Sequence, residues 1–138
     1  MSRVEEVTVL AGQDIKKVIG DYIVSQGWES VYISGAVGSV TEMAYTAPIC
    51  NSLPLKTASE EVEGAAEVVA FTGEVMRREL MDPALEAIYP DRDNPLFVHI
   101  HVSCAYHGGQ VRGGGLAKGK AFRSLRVFMI PLEGKNGQ

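Results

Sequence analysis

Three histidines fall within nine residues of one another, His99, His101 and His107, and two of them alternate with apolar residues in Leu96–Tyr106. Side chains on a β-strand point to opposite faces in turn. Phe97, His99, His101 and Ser103 therefore share one face, and Val98, Ile100, Val102 and Cys104 share the other. The second set is apolar and must face a core, which leaves two imidazoles side by side on the less apolar face. That spacing suits two ligands to one divalent metal such as zinc, and acid–base work by one histidine is open as well, since imidazole chemistry spans neutral pH in general. A zinc site needs a third or fourth ligand. His107-Gly108-Gly109 reads as a hairpin turn, and a turn centred near Gly108 sets Gly115 opposite His101, where a third ligand would be convenient. His107 itself lies about 20 Å along the strand from His101, at ~3.3 Å per residue. No nucleophile is evident for a Ser–His or Cys–His pair: Cys104 belongs to the core face, and Ser103 is merely next in sequence.

Two further features bear on binding. Gly114 to Ala121 matches the GxxxxGK of a phosphate-binding loop, but Ala121 stands where the magnesium-holding Ser or Thr belongs. Too little chain follows for a nucleotide-binding sheet, so that reading is rejected, and the glycines are expected to allow bulges or close backbone approach beside the histidine strand. Charge is unevenly spread. Net charge is −4, yet residues 1–93 carry 7 basic and 16 acidic side chains, whereas residues 94–138 carry 6 basic (Arg112, Lys118, Lys120, Arg123, Arg126, Lys135) and 1 acidic. Either the basic set pairs with the acidic half across a sheet or subunit interface, or it draws anions to a ligand site that would include Arg112 and Lys118. The acidic total argues against nucleic-acid binding through overall charge.

The elements that position these residues read as one α+β domain over 1–138, a mainly antiparallel sheet packed by one main helix and a second short one. Val4 to Leu10 is strand-like. Asp14 is an N-cap, Ile15, Val18, Ile19, Tyr22 and Ile23 form one helical stripe, and Gly27 stops it. Two short strands, Ser30 to Ser34 and Val40 to Tyr45, flank a turn at Gly35–Gly38, and Thr46 to Pro54 reads as irregular. Val62 opens another strand, and Ala66 to Val75 is strongly β-forming. Asp82-Pro83 starts a short helix through about Tyr89, and Pro90 to Pro95 is a charged turn. Gln110 to Lys118 pairs back on the histidine strand. A last strand, Leu125 to Pro131, is nearly all apolar and thus central or covered on both faces. Residues 134–138 read as a frayed tail. The acidic start, two cysteines without a framework, and the lack of a run of roughly 20 apolar residues predict a cytoplasmic protein with no membrane segment.

Four stretches together resemble the PPC domain, the plants and prokaryotes conserved domain: Gly12-Gln13-Asp14-Ile15, Ile33 to Thr41, Glu67 to Gly73, and His99-Ile100-His101-Val102-Ser103 followed by Gly109-Gln110-Val111 and Gly113 to Leu116. The resemblance implies an antiparallel sheet packed by a helix, assembled as a homotrimer with strands at the subunit interfaces. It implies chromatin association in plant members, where an AT-hook precedes the domain, and a metal on the histidine cluster of some microbial members. Here no Arg-Gly-Arg-Pro AT-hook is present, and the third histidine of the cluster is Gly115. The leading expectation is a non-enzymatic, homotrimeric binding or regulatory module, DNA-associated through a protein partner. The alternative is a small-molecule-binding protein or metal-assisted enzyme using the His99/His101 face, with Gly115, Arg112 and Lys118 beside it.

Overall fold

In the computed structural model, residues 3–86 and 93–132 are described. Six strands and one α-helix make up the fold: β1 (Glu5–Leu10), α1 (Ile15–Gln26), β2 (Ser30–Pro48), β3 (Thr57–Val62), β4 (Ala66–Arg77), β5 (Leu96–Ala105) and β6 (Val111–Pro131). The helix forms as its sequence dictates. Asp14 caps it by accepting a 2.9 Å hydrogen bond from the Lys17 amide, and Gly27, at φ 74°, ends it by donating to the Val24 carbonyl. Ile15, Ile19 and Ile23 are fully buried, each contributing about 1.5–3 kcal/mol of apolar burial.

All strand pairings are antiparallel, in the order β1-β6-β5-β4-β2-β3, with an additional β2–β6 pairing that closes the sheet on itself. The core lies inside this closed sheet and under α1, formed by Val9, Val31, Ile33, Phe71, Leu125, Val127 and Met129 among others.

Two strands are longer than the sequence pattern suggests. Ser30–Ser34 and Val40–Tyr45 are not separate strands around a turn but parts of the 19-residue β2. The glycines between them shift the register against β6 at Ile33/Gly35 and Gly38/Val40 rather than reversing the chain. Gly38 holds φ 144°, and a Cβ there would lie 2.1 Å from the Ser124 carbonyl, so the residue is a point of close strand approach. Likewise Gln110–Lys118 and Leu125–Pro131 are one 21-residue strand, β6. Its last third is central, paired with β1 on one side and β2 on the other, with Leu125, Val127 and Met129 buried and Phe128 and Ile130 partly exposed on the outer face. The stretch read as irregular after Thr46 stays in β2 as far as Pro48.

Two further readings are corrected. Val62 ends a strand instead of opening one: β3 is the polar edge strand Thr57–Val62, whose residues pair with Met43–Pro48. The second helix is only a 3-10 turn, Pro83–Leu85, capped by Asp82, which accepts from the Ala84 amide. Three consecutive residues satisfy a 3-10 turn and too few backbone amides for an α-helix. The remainder of that predicted helix, to Tyr89, and the start of the charged turn lie outside the described residues, as does the tail at 134–138. Among the described residues no helix is long and apolar enough to cross a membrane.

The approach of β4 to β5 sets the position of the histidine strand. Gly73 pairs with Ile100, and a Cβ on Gly73 would meet the His99 carbonyl oxygen at 2.1 Å and the Ile100 Cα at 2.7 Å. Both obstacles are backbone, so relief requires strand separation. Gly73→Ala is therefore expected to lower unfolding free energy by about 2 kcal/mol or more in urea titration. A variant within about 0.5 kcal/mol of the parent would contradict this close approach.

Candidate functional site

β5 delivers the histidine pair as its alternation requires. Ile100, Val102 and Cys104 are buried in the core, while His99 is partly buried and His101 exposed. The two imidazoles stand edge to face, ring centroids 4.9 Å apart. Phe97, on the same face, is buried and packs its ring 5.5 Å from that of His99. The register puts Glu74 opposite His99, with its Oε1 3.6 Å from His99 Nδ1, and Thr72 opposite His101.

On the other side of β5, His101 pairs with Gly115 of β6, as the hairpin arithmetic predicts. Gly115 pairs in turn with Thr46 of β2, and Thr46 with Ser59 of β3, where the two hydroxyls hydrogen-bond at 2.7 Å. One row of neighbours thus runs Thr72, His101, Gly115, Thr46, Ser59 across five strands. It edges a cleft of about 450 Å³ whose walls include His99, His101 and Gly115. Lys16, from the first turn of α1, also lines it, with its Nζ 3.5 Å from the Ala117 carbonyl. Pro48, Leu55, Leu85 and Val98 supply apolar wall.

Of the residues singled out by sequence, His99, His101 and Gly115 come together in this cleft, whereas Arg112 and Lys118 do not line it. Those two form ion pairs with the edge strand: Arg112 with Glu60 at 3.1 Å and Lys118 with Glu61 at 2.9 Å. Glu61 holds the Lys118 ammonium above its ordinary range, and Lys118 holds the Glu61 carboxyl below its own. Lys120 pairs with Glu42 at 3.5 Å and Arg126 with Glu6 at 2.9 Å. His107 sits in the 3-10 turn beyond the end of β5 and does not reach the cleft. Lys16, Thr46 and Ser59 were not singled out by the sequence pattern. The signal for Lys16 is weak, a lone lysine on the first helical turn, and Thr46 is hidden by the neighbouring prolines.

Behind the histidine strand, Tyr45 and Tyr106 share a 2.6 Å hydroxyl hydrogen bond, with Cys104 beside them. Burial, aided by the hydrogen bonds to Cys104 and Tyr106, pushes the Tyr45 hydroxyl far above its ordinary range, and burial raises the Cys104 thiol. Both groups stay protonated near neutrality. Cys104 is thus a core residue rather than a nucleophile.

Two imidazoles share a face, the third position is a glycine, and among the described residues no group of three His, Cys, Asp or Glu side chains could hold a metal.

Among the described residues the fold is a closed antiparallel sheet packed by one α-helix, an α+β arrangement with a histidine pair opening onto a cleft at its side. The chain belongs to the Plants and Prokaryotes Conserved (PCC) domain family, whose model matches residues 2–133. No curated protein matches the chain. Among solved structures it is similar to a plant- and prokaryote-conserved protein of Pyrococcus horikoshii, at 22% identity and TM-score 0.74, covering 98% of this chain and 84% of that one. It is also similar to a metal-containing protein of Archaeoglobus fulgidus, at 23% identity and TM-score 0.74, covering 96% and 81%. A third, a Bacteroides thetaiotaomicron protein proposed to bind DNA, shares 14% identity at TM-score 0.69, covering 95% and 83%. At these identities the likeness extends to the fold.

Gly115 has ordinary backbone geometry, and a Cβ there would sit 3.5 Å from the Thr46 carbonyl oxygen and 3.8 Å from His101 Cδ2, in normal contact. A side chain fits. Gly115→His is expected to complete a three-imidazole set and raise zinc affinity at least tenfold over the parent in calorimetric titration. Equal zinc affinities in the two proteins would show that position 115 does not face the histidine pair.

Proposed function

We propose that this protein is a homotrimeric binding module that recognises a small molecule in the His99/His101 cleft, and that any association with DNA runs through a protein partner. The observation that carries this reading is the contrast between the cleft and the basic side chains. The cleft gathers two imidazoles and a lysine around an apolar wall, the usual composition of a small-molecule site. Of the basic side chains of β6 and its approach, Arg112, Lys118, Lys120 and Arg126 are each matched to a glutamate, and Arg123 stands exposed. Breaking those pairs would offset part of the gain from releasing counterions. A binding role rather than catalysis is supported by the core position of Cys104, the thiol on the histidine strand itself.

Trimerisation is supported by family membership and by the outer face of β2 and β6. Tyr32 and Ile130 are cross-strand neighbours there, and Phe128 lies two residues away, all with apolar surface exposed to solvent in the single chain.

Sedimentation velocity at micromolar concentration is expected to give about three times the 14.9 kDa chain mass, and a monomer would remove the assembly. In the same preparation, a gel-shift assay at low salt is expected to show no complex with duplex DNA. A shift that weakens steeply with added salt would overturn the indirect route.

A further inference from the structure

The outer face of β2 and β6 carries opposite charges at its two ends. At one end Tyr32 of β2 pairs with Ile130 of β6 on one side and with Glu74 of β4 on the other. Glu74 pairs in turn with His99 of β5, so this half-exposed carboxylate stands between the apolar face and the histidine strand. At the other end the register of β6 against β2 slips between Gly38 and Val40, and the Arg123 amide donates to Ser39 Oγ at 3.1 Å. Arg123 and the half-exposed Phe122 edge a hollow of about 410 Å³ there. Between the ends, Tyr32 and Val37 are exposed and Phe128 is partly exposed.

The other cations of β6 are held by glutamates. Arg126, on the same face, is tied to Glu6 and lies over the Phe128 ring, 5.2 Å from its centroid. Among the described residues Arg123 forms no ion pair, unlike Arg112, Lys118, Lys120 and Arg126. A guanidinium stays ionised at neutral pH, so covering it without a carboxylate is costly. Glu74 of the same chain cannot supply that carboxylate. Arg123 lies seven positions before Ile130 along β6, about 20 Å at ~3.3 Å per residue.

The geometry points to a head-to-tail contact between copies of this chain, in which the partner subunit's Arg123 pairs with Glu74 and the apolar surfaces at the two ends of the β2/β6 face cover each other. The contact presupposes the homotrimer. A ring of three needs two different patches that meet around the axis, whereas one patch meeting itself closes as a two-fold dimer. Glu74 and Arg123, at opposite ends of the face, satisfy the first case. Glu67 edges the same hollow as Arg123 and fits the second, because both charges lie at one end. Opposite charges set among apolar surface fix the orientation of a partner more than they add affinity. The pairing also brings a cation of the partner subunit to Glu74, whose Oε1 lies 3.6 Å from His99 Nδ1, so the histidine site sits at the boundary between copies.

Sedimentation velocity of the full chain across a dilution series reads the concentration midpoint of dissociation for the parent, Arg123→Glu, Glu74→Arg and the double variant. Each single exchange sets like charges together and is expected to raise the midpoint by about tenfold or more. The double exchange restores an opposite pair with its signs reversed and is expected to return the midpoint to within about threefold of the parent. A chain that fails to fold cannot give that recovery. If the single variants assemble like the parent, or the double variant no better than the singles, the Glu74–Arg123 contact is overturned while the homotrimer stands. Recovery when Arg123→Glu is combined with Glu67→Arg instead, or a parent of two-chain mass, overturns the head-to-tail arrangement. A monomeric parent removes the homotrimer and the contact with it, and leaves the face to a different partner.

Discussion

Two strands of about twenty residues cannot lie straight in a small sheet, and here neither does. β2 pairs with β3, β4 and β6, and β6 pairs with β1, β2 and β5. Each must curve to meet its later partners, and the curvature is taken up at register shifts and at glycines pressed against a neighbouring backbone, Gly38 of β2 against Ser124 and Gly114 of β6 against Thr46. A sheet closed in this way has fewer free edges to guard, and a single α-helix covers part of the apolar surface that closure leaves. The edge at β3 is mostly polar, and its glutamates are occupied by Arg112 and Lys118.

The site follows from that closure. Were β2 two separate strands, nothing would require Thr46 to meet Gly115, and the row from Thr72 to Ser59 would be broken. Because β2 runs unbroken to Pro48, its far end passes beside the N-terminal half of β6 and brings a hydroxyl pair to the glycine opposite His101. The same closure seats the start of α1 near β6, which places Lys16 at the mouth. Ion pairing ties Arg112, Lys118, Lys120 and Arg126 of the C-terminal half to glutamates at the surface, where such pairs contribute little to stability, and none of the four lines the cleft.

Much of the fold was legible in the sequence wherever a short-range pattern decides the outcome. The α1 stripe and its caps, the alternation of β5 and the His101–Gly115 register depend on periodicity and one turn, and the family resemblance agrees with them. Reading failed where long-range pairing overrides a local signal. Gly35 and Gly38 look like a turn because glycine tolerates reversal, but here they permit bulges under the pull of β6. Asp82-Pro83 begins a turn as its capping chemistry requires, yet that chemistry says nothing about where the turn ends. In the site, the histidines announce themselves by type and spacing. Lys16, Thr46 and Ser59 come from three elements distant in sequence, and only the tertiary register assembles them. The basic set was legible as a charge imbalance, but the identity of each glutamate partner was not.

The account rests on His99 and His101 projecting to the same side of β5, with Gly115 alongside. A nuclear Overhauser spectrum of protein prepared without a metal-affinity step reports this directly. Cross-peaks between the ring protons of His99 and His101, and between the His101 ring and the Gly115 α-protons, are predicted from rings 4.9 Å apart and a paired glycine. Cross-peaks instead joining the His101 ring to the core methyls of Ile100 and Val102, with none between the two imidazoles, would contradict it.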